Sequence, residues 1–570
     1  ATGAVVKLDL KDGTGTTDTA TVNVTNLTGV TTTIDDDNNN IESLTINVTS
    51  SATSAVINPD ASSYGTKITV TGGEVATTAN ARLIDLDAVA LTTKALDMSG
   101  VVADTSVKMG VSDITVTGGS GKDKIDMVAT WTTKDVIDGG DGTDTLVVRS
   151  ADAIAAAATS TSNIEWLEVS GTANSAVAIN ADYWGGISNF RFTGTNTQSV
   201  VSNLKEGAEI EFDAAAAATT LSLKAPNGTN DTINLDLDGA GVTYNVTAAN
   251  VETINVEANG TTGTSTLALT AAQLKTLDVN STADEAFDTG TLGTVVSTVD
   301  LSGFAAATVT NGVTVTLSTS AVNGATVTGS GNDDTLNGSS QNDTINGGLG
   351  VDTIDALLGS DTVDGGAGND IITIGKGGLD TVTGGDGSDD FVVAVATTFS
   401  TTADKTVITD FNAGTATTSV DQINIDLSTL NAIATTGGFA TAVADIKDGS
   451  GNTAVDDTNA TLVLQTMSGD GVAMASTTEM MLIDIGTYAT DAKIETAFAA
   501  SELTFTVGNA VTDNDAFLIA YKTGADINIA VAQMAGTGTS SDGIDGVETI
   551  LTLQGITDFT DLNSGDFIIS

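Results

Sequence analysis

The chain has 570 residues, 73 of them acidic and 19 basic, for a formal charge of −54, with no histidine, no cysteine and two prolines. These numbers exclude disulfides, a Ser-His-Asp triad, a Cys-His pair and a zinc site of the usual kind. The missing basic footprint argues against a nucleic-acid partner, and buried acidic groups would oppose compaction unless cations neutralise them.

Threonine, valine, asparagine, aspartate and glycine dominate and helical periodicity is scarce, so the fold class expected is all-β. No run of eighteen apolar residues is present to cross a membrane as a helix. Residues 1–117 read as a β-rich solenoid segment. The chain opens Ala1-Thr2-Gly3-Ala4 directly into strand-like sequence, without a methionine or a signal-like start, and an N-terminal part is therefore expected to be missing. Asp35-Asp36-Asp37 and the three asparagines after it could chelate a cation, but read first as a solvated loop. Ile41-Glu42-Ser43-Leu44-Thr45-Ile46, apolar at its first, fourth and sixth positions, reads as a short strand.

Residues 118–150 form a short glycine- and aspartate-rich block. Gly118-Gly119-Ser120-Gly121-Lys122-Asp123-Lys124-Ile125 is followed by Asp135-Val136-Ile137 and by Gly139-Gly140-Asp141-Gly142-Thr143-Asp144-Thr145-Leu146. The aspartate steps are twelve and nine, so three residues should bulge out near Trp131.

Residues 151–327 return to the looser strand pattern. Copies stand at Ile164-Glu165-Trp166-Leu167-Glu168-Val169, Val251-Glu252-Thr253-Ile254-Asn255-Val256, Leu274-Lys275-Thr276-Leu277-Asp278-Val279 and Val296-Ser297-Thr298-Val299-Asp300-Leu301. Their spacing suggests stacked rungs of a parallel β-solenoid, with simple hairpin strands as the alternative. Alanine-rich stretches at Ala153 to Ala158, Asp213 to Ala218 and Ala271 to Leu274 are expected to be brief helical or 3₁₀ turns. Asn234-Leu235-Asp236-Leu237-Asp238-Gly239 begins like an EF-hand loop but opens with asparagine and has Asn245 at its twelfth position, so it reads as a strand running into a turn.

Residues 328–395 carry the strongest signal. Aspartates recur at Asp334, Asp343, Asp352, Asp361, Asp370, Asp380 and Asp389, and each is followed two positions on by an apolar residue: Leu336, Ile345, Ile354, Val363, Ile372, Val382 and Phe391. The fullest copies begin Gly347-Gly348-Leu349-Gly350, Gly365-Gly366-Ala367-Gly368 and Gly384-Gly385-Asp386-Gly387. They match the RTX nonapeptide G-G-x-G-x-D-x-U-x, a calcium-binding β-roll repeat. Glycines permit tight turns with exposed carbonyls, the aspartate adds charge, and x-U-x makes a short strand with U inward. Two nonapeptides complete one coil, so Asp334, Asp352, Asp370 and Asp389 should line one edge and Asp343, Asp361 and Asp380 the other. Oxygen ligands alone suit Ca²⁺, with Gly347, Gly350, Gly365, Gly368, Gly384 and Gly387 completing the ligating turns, and roughly five inter-turn sites follow. The copies are uneven: Ala356-Leu357-Leu358 replaces a glycine pair, Gly338-Ser339-Ser340-Gln341 lacks its last glycine, and one residue is inserted around Gly375 to Gly378. In the short block, Asp123 and Asp144 either share one further calcium or form a solenoid corner.

Residues 396–570 read as a C-terminal β domain. Val407-Ile408-Thr409-Asp410-Phe411 and Asp421-Gln422-Ile423-Asn424-Ile425 resemble the strand-and-turn closure that follows RTX rolls. The end, from Gly555 to Phe567-Ile568-Ile569-Ser570, resembles an uncleaved type I secretion signal. The whole chain resembles the RTX-type surface-layer proteins of Gram-negative bacteria. The likeness implies a secreted, cell-surface calcium β-solenoid that self-assembles into a two-dimensional lattice. It also implies export by type I secretion machinery and anchoring to lipopolysaccharide through the N-terminal portion. The other function classes are a calcium-dependent RTX adhesin and the non-catalytic RTX half of a secreted protease or lipase. No catalytic constellation is found, and with 4% aromatic residues there are few platforms for sugar rings.

Overall fold

The structure, a computed structural model, describes residues 4–8, 18–24, 31–36, 41–48, 54–59, 67–73, 83–111, 113–128, 131–149, 160–170, 177–184, 187–194, 199–224, 228, 230–283, 285–305, 310–374, 378–394, 406–414, 421–426, 445–446, 460–461, 464–467, 472–473, 480–487, 505–506, 515–534 and 544–569. Among these the chain is all-β, with 3₁₀ turns at Ala181–Trp184, Phe559–Asp561 and Ser564–Asp566. It is a parallel β-solenoid, in which each coil gives successive strands to different sheets. Two compact units divide it: Ala1–Thr261 with Leu267–Ala272, and Thr262–Thr266 with Gln273–Ser570.

In the first unit the rungs stack parallel and in register. Leu44, Ile68, Leu96, Val116 and Ile137 form one inward column. Ile125, Leu146, Leu167, Phe190, Ile210, Leu235 and Val256 form another, and all of these residues are buried. Alternate positions face outward, where polar side chains ladder between coils: Asn47 Nδ2 donates to Asn23 Oδ1 at 2.9 Å, and Thr71 Oγ1 donates to Asn47 Oδ1 at 2.7 Å. The loose strand pattern is thus the inward–outward alternation of stacked rungs.

Some local expectations change. Ala216–Leu223 is a strand that receives its ladder from neighbours on both sides, because sheet pairing overrides the weak helical preference of a short alanine run. Asp35 and Asp36 end the strand Thr31–Asp36 and do not lie in a loop. Beside the expected three-residue bulge, of which residues 129–130 lie outside the described residues, Trp131 is buried against Trp184 with ring centroids 5.3 Å apart, since an indole gains more from the core than from solvent. The stretch Ala153 to Ala158 lies outside the described residues. Asn234 to Leu237 do belong to a strand, Thr232–Leu237.

In the second unit the coil shortens to the nonapeptide pair. Val327, Ile345, Val363, Val382 and Ile408 make one core column, and Val315, Leu336, Ile354, Ile372, Phe391, Ile423 and Phe567 the other. Burial of each aliphatic contributes about 1.5–3 kcal/mol, and these columns contain all seven U positions of the repeat. The sheets close on C-terminal strands. Thr406–Ile408 pairs parallel with Ile544–Leu553, which continues antiparallel to Asp526–Met534 and then Asp515–Thr523. Gln422–Asp426 pairs parallel with Phe567–Ile569, so the last described strand is a rung of the solenoid.

Candidate metal centre

The turn before each strand places its aspartate at the inner corner of the coil, because the residue two positions later must point into the core. Along one edge, the backbone N–H groups of Val313, Asp334, Asp352, Asp370 and Asp389 donate to Oδ1 of Asp334, Asp352, Asp370, Asp389 and Asp421 at 2.7, 2.8, 2.8, 3.0 and 3.0 Å. Along the other, the N–H groups of Ala325, Asp343 and Asp361 donate to Oδ1 of Asp343, Asp361 and Asp380 at 2.7, 2.8 and 2.9 Å. Steps of 18 or 19 residues within the block bring each aspartate over its counterpart one coil away, which sorts the seven into the two edges expected from the spacing. All seven are buried.

The glycines shape these corners. A Cβ at Gly365 would lie 2.6 Å from Asp370 Oδ2, and one at Gly347 or Gly384 would press on Oδ2 of Asp352 or Asp389. Gly348, Gly366 and Gly385 take φ of +107°, +102° and +101°, a conformation that L side chains rarely adopt. Gly350, Gly368 and Gly387 complete the column, and a side chain there would strike the backbone of the preceding coil at Asn332, Gly350 and Gly368 respectively. Where the repeat departs from glycine, Leu357 itself takes φ +67°.

Oδ1 of each of these aspartates accepts a backbone N–H from a neighbouring coil. On some the second oxygen is also satisfied: Asp334 Oδ2 accepts from Ser330 N and Asp343 Oδ2 from Ser339 N, both at 2.7 Å, and Asp380 Oδ2 accepts from Thr406 Oγ1 at 3.3 Å. Oδ2 of Asp144, Asp352, Asp361, Asp370 and Asp389 is buried without a hydrogen-bond partner. Burial, ahead of the repulsion between neighbouring carboxylates, pushes Asp352 up to about 8, Asp361 to about 7 and Asp389 to about 6; it also raises Asp334 and Asp370. A row of buried carboxylates with unpartnered oxygens, flanked by glycine turns that leave room beside them, fits a hard cation with oxygen ligands.

The short block is built the same way. Asp123 N donates to Asp144 Oδ1 at 2.7 Å, Thr105 Oγ1 donates to Asp123 Oδ1 at 2.7 Å, and Gly119 N donates to Asp123 Oδ2 at 2.6 Å. Burial pushes Asp144 up to about 7 and raises Asp123. On another corner Asp135, fully buried, accepts from Ile114 N at 2.9 Å.

Sequence spacing missed several members of these ladders. Asp421 continues the Asp389 edge after a step of 32 residues, and its other oxygen accepts from Asn412 N at 2.7 Å. Asp410 closes the roll by accepting from the N–H groups of Gly384 and Gly385, both at 2.9 Å. Glu165 continues the Asp144 corner, taking the Asp144 N–H at 2.7 Å. The usable signal at Asp421 was the same acidic residue two positions before a buried apolar one, Ile423. A separate group, Glu211, Asp213 and Asp238, gathers carboxylate oxygens within 4.8 Å of one another, and Arg191 Nε lies 2.6 Å from Glu211 Oε1. Burial, then Glu211, pushes Asp213 up to about 6.

Comparison with known families agrees with this geometry. The family model of the RTX calcium-binding nonapeptide repeat (4 copies) matches residues 134–149, 328–363 and 349–378. A search of curated proteins returned no match. The chain therefore carries RTX calcium-binding repeats, which imply calcium binding. The solenoid corners extend past the matched residues at both ends of the main block, to Val313 and to Asp421. Among the described residues, no helix is long and apolar enough to cross a membrane.

Proposed function

We propose that the chain is a structural subunit of a bacterial surface layer, exported by a type I system and assembling into a two-dimensional lattice when it meets calcium outside the cell. The observation that carries the reading is the pair of buried carboxylate ladders in a chain of net charge −54. Such a chain gains little by folding until its corners are neutralised. Calcium, when bound, supplies that charge and accepts the oxygen ligands offered at each corner.

Asp334, Asp352, Asp370 and Asp389 on one edge, and Asp343, Asp361 and Asp380 on the other, would hold it together with carbonyls of the glycine turns; Asp123 and Asp144 would do so in the short block. In a calcium-poor cytoplasm these carboxylates repel one another and keep the chain export-competent. Outside, binding free energy becomes folding free energy. The C-terminal segment would act first as an unfolded secretion signal and afterwards as the rung Phe567–Ile569. Cations bridging acidic faces supply subunit contacts that 19 basic residues could not. Anchoring to lipopolysaccharide is assigned to the N-terminal portion, and no catalytic role is proposed.

Electron microscopy of the purified chain in EGTA, and then in millimolar calcium, tests the reading. Ordered sheets that form only with calcium are the expected result. Calcium-dependent folding without a lattice would reject the surface-layer role in favour of an RTX adhesin or the non-catalytic half of an exported enzyme.

A further inference from the structure

One short motif recurs outside the main repeat block: asparagine, then isoleucine or valine, then glutamate, leading into a strand. It stands at Asn40-Ile41-Glu42, Asn163-Ile164-Glu165 and Asn250-Val251-Glu252. Each glutamate meets an aspartate one coil earlier through the same three contacts. Asp144 N donates to Glu165 Oε2 at 2.7 Å, while the N–H groups of Glu165 and Trp166 donate to Asp144 O at 3.2 and 3.0 Å. Asp231 N donates to Glu252 Oε2 at 3.1 Å, and the N–H groups of Glu252 and Thr253 both donate to Asp231 O at 3.0 Å. Asp18 N donates to Glu42 Oε2 at 2.8 Å, and Glu42 and Ser43 both donate to Asp18 O at 3.1 Å.

In all three pairs the aspartate's Oδ2 is buried and has no hydrogen-bond partner. Asp231 is 7% exposed and Glu252 9%, so two carboxyl groups share one corner nearly out of water. A glycine stands against the aspartate here too: a Cβ at Gly228 would lie 2.6 Å from Asp231 Oδ1, as one at Gly139 would lie 2.5 Å from Asp144 Oδ2. An asparagine and a glutamine could make the same backbone contacts at no charge cost. Two carboxylates buried side by side are unfavourable unless a cation compensates them. All the donors are oxygens, which selects a hard divalent ion.

We propose that Asp231 and Glu252 form a calcium site independent of the nonapeptides, and that the Asn-(Ile/Val)-Glu rung is its sequence signature. The proposal draws on the calcium reading of the repeats only through the shared geometry at Asp144. The test uses crystals of the full chain grown in calcium and exchanged into terbium chloride, with anomalous difference maps. A peak between Asp231 and Glu252, beside peaks in the main block, is the expected result. Peaks in the main block with none at Asp231 overturn this proposal alone, and an absence of peaks everywhere overturns the calcium reading as well. In solution, the double variant Asp231→Asn, Glu252→Gln, with circular dichroism matching the parent in calcium, should bind one calcium ion fewer per chain by equilibrium dialysis. Equal stoichiometry would overturn the site.

Discussion

Replacing Asp352 by asparagine should stabilise the metal-free chain and weaken its calcium response, two effects of opposite sign from one side chain. The amide oxygen can still accept the Asp334 N–H, which now lies 2.8 Å from Oδ1. What changes is ionisation. Burial, then the charges of Asp334 and Asp370, raises Asp352 to about 8 in the fold, against about 3.9 in an unfolded chain. A carboxyl raised in this way contributes stability that is fully present below its unfolded value and is lost as pH rises through about 8. At pH 7 roughly three units of that difference have been spent, or about 4 kcal/mol at ~1.4 kcal/mol per unit, and at pH 5 about 1–2 kcal/mol. Stability of a typical domain is about 5–15 kcal/mol, so one such corner matters. Urea unfolding followed by far-UV circular dichroism, in calcium-stripped buffers from pH 5 to pH 8, reads the effect. The parent should lose stability as pH rises and the variant should lose less, with the gap widening to about 4 kcal/mol near pH 7. In millimolar calcium the order should reverse, because the variant lacks one charged ligand. A variant less stable than the parent in metal-free buffer at pH 8, or two parallel pH curves, would refute the reasoning.

Further outcomes follow from the same geometry. All three tryptophans, Trp131, Trp166 and Trp184, lie in the first unit, and Trp166 adjoins Glu165; terbium emission excited through tryptophan should therefore fall sharply in Asp144→Asn and persist in Asp370→Asn. Equal loss in both variants would remove the ion from the Asp144 corner. Gly366→Ala, at φ +102° and facing the carbonyl of Gly348, should cost more than 2 kcal/mol and weaken calcium binding. Gly524→Ala, at φ +69° with nothing near its Cβ, should cost about 1 kcal/mol and leave calcium binding alone. Deleting residues 567–570 removes buried Phe567 and bares the Gln422–Asp426 edge, so the melting temperature in calcium should fall by several degrees and aggregation should rise. An unchanged melting temperature would show that the last rung contributes nothing.

The main block was legible because its period fixes everything at once. An aspartate, an apolar residue two positions on and a glycine turn every nine residues leave one way to face the core, and the 18-residue coil follows. Legibility failed where coil length varies. The step from Asp389 to Asp421 is 32 residues and the step from Asp144 to Glu165 is 21, so a fixed spacing could not find either partner. The rung strands were readable from their apolar positions, but acidic residues at their corners, such as Asp231 and Glu252, gave no sign of being buried. Nor did Trp131 or the Ala216–Leu223 strand declare themselves, since each depends on what the neighbouring coil supplies.

The most direct test of the central claim, that the carboxylate corners are calcium sites on which the solenoid depends, is hydrogen–deuterium exchange of the full chain with and without calcium. The N–H groups of Asp334, Asp343, Asp352, Asp361, Asp370 and Asp389 each donate to the carboxylate one coil on. Peptides covering 328–394 should exchange fast in EGTA at pH 7 and become strongly protected in millimolar calcium. The same protection in both buffers would contradict the claim, because the ladders would then hold without the ion.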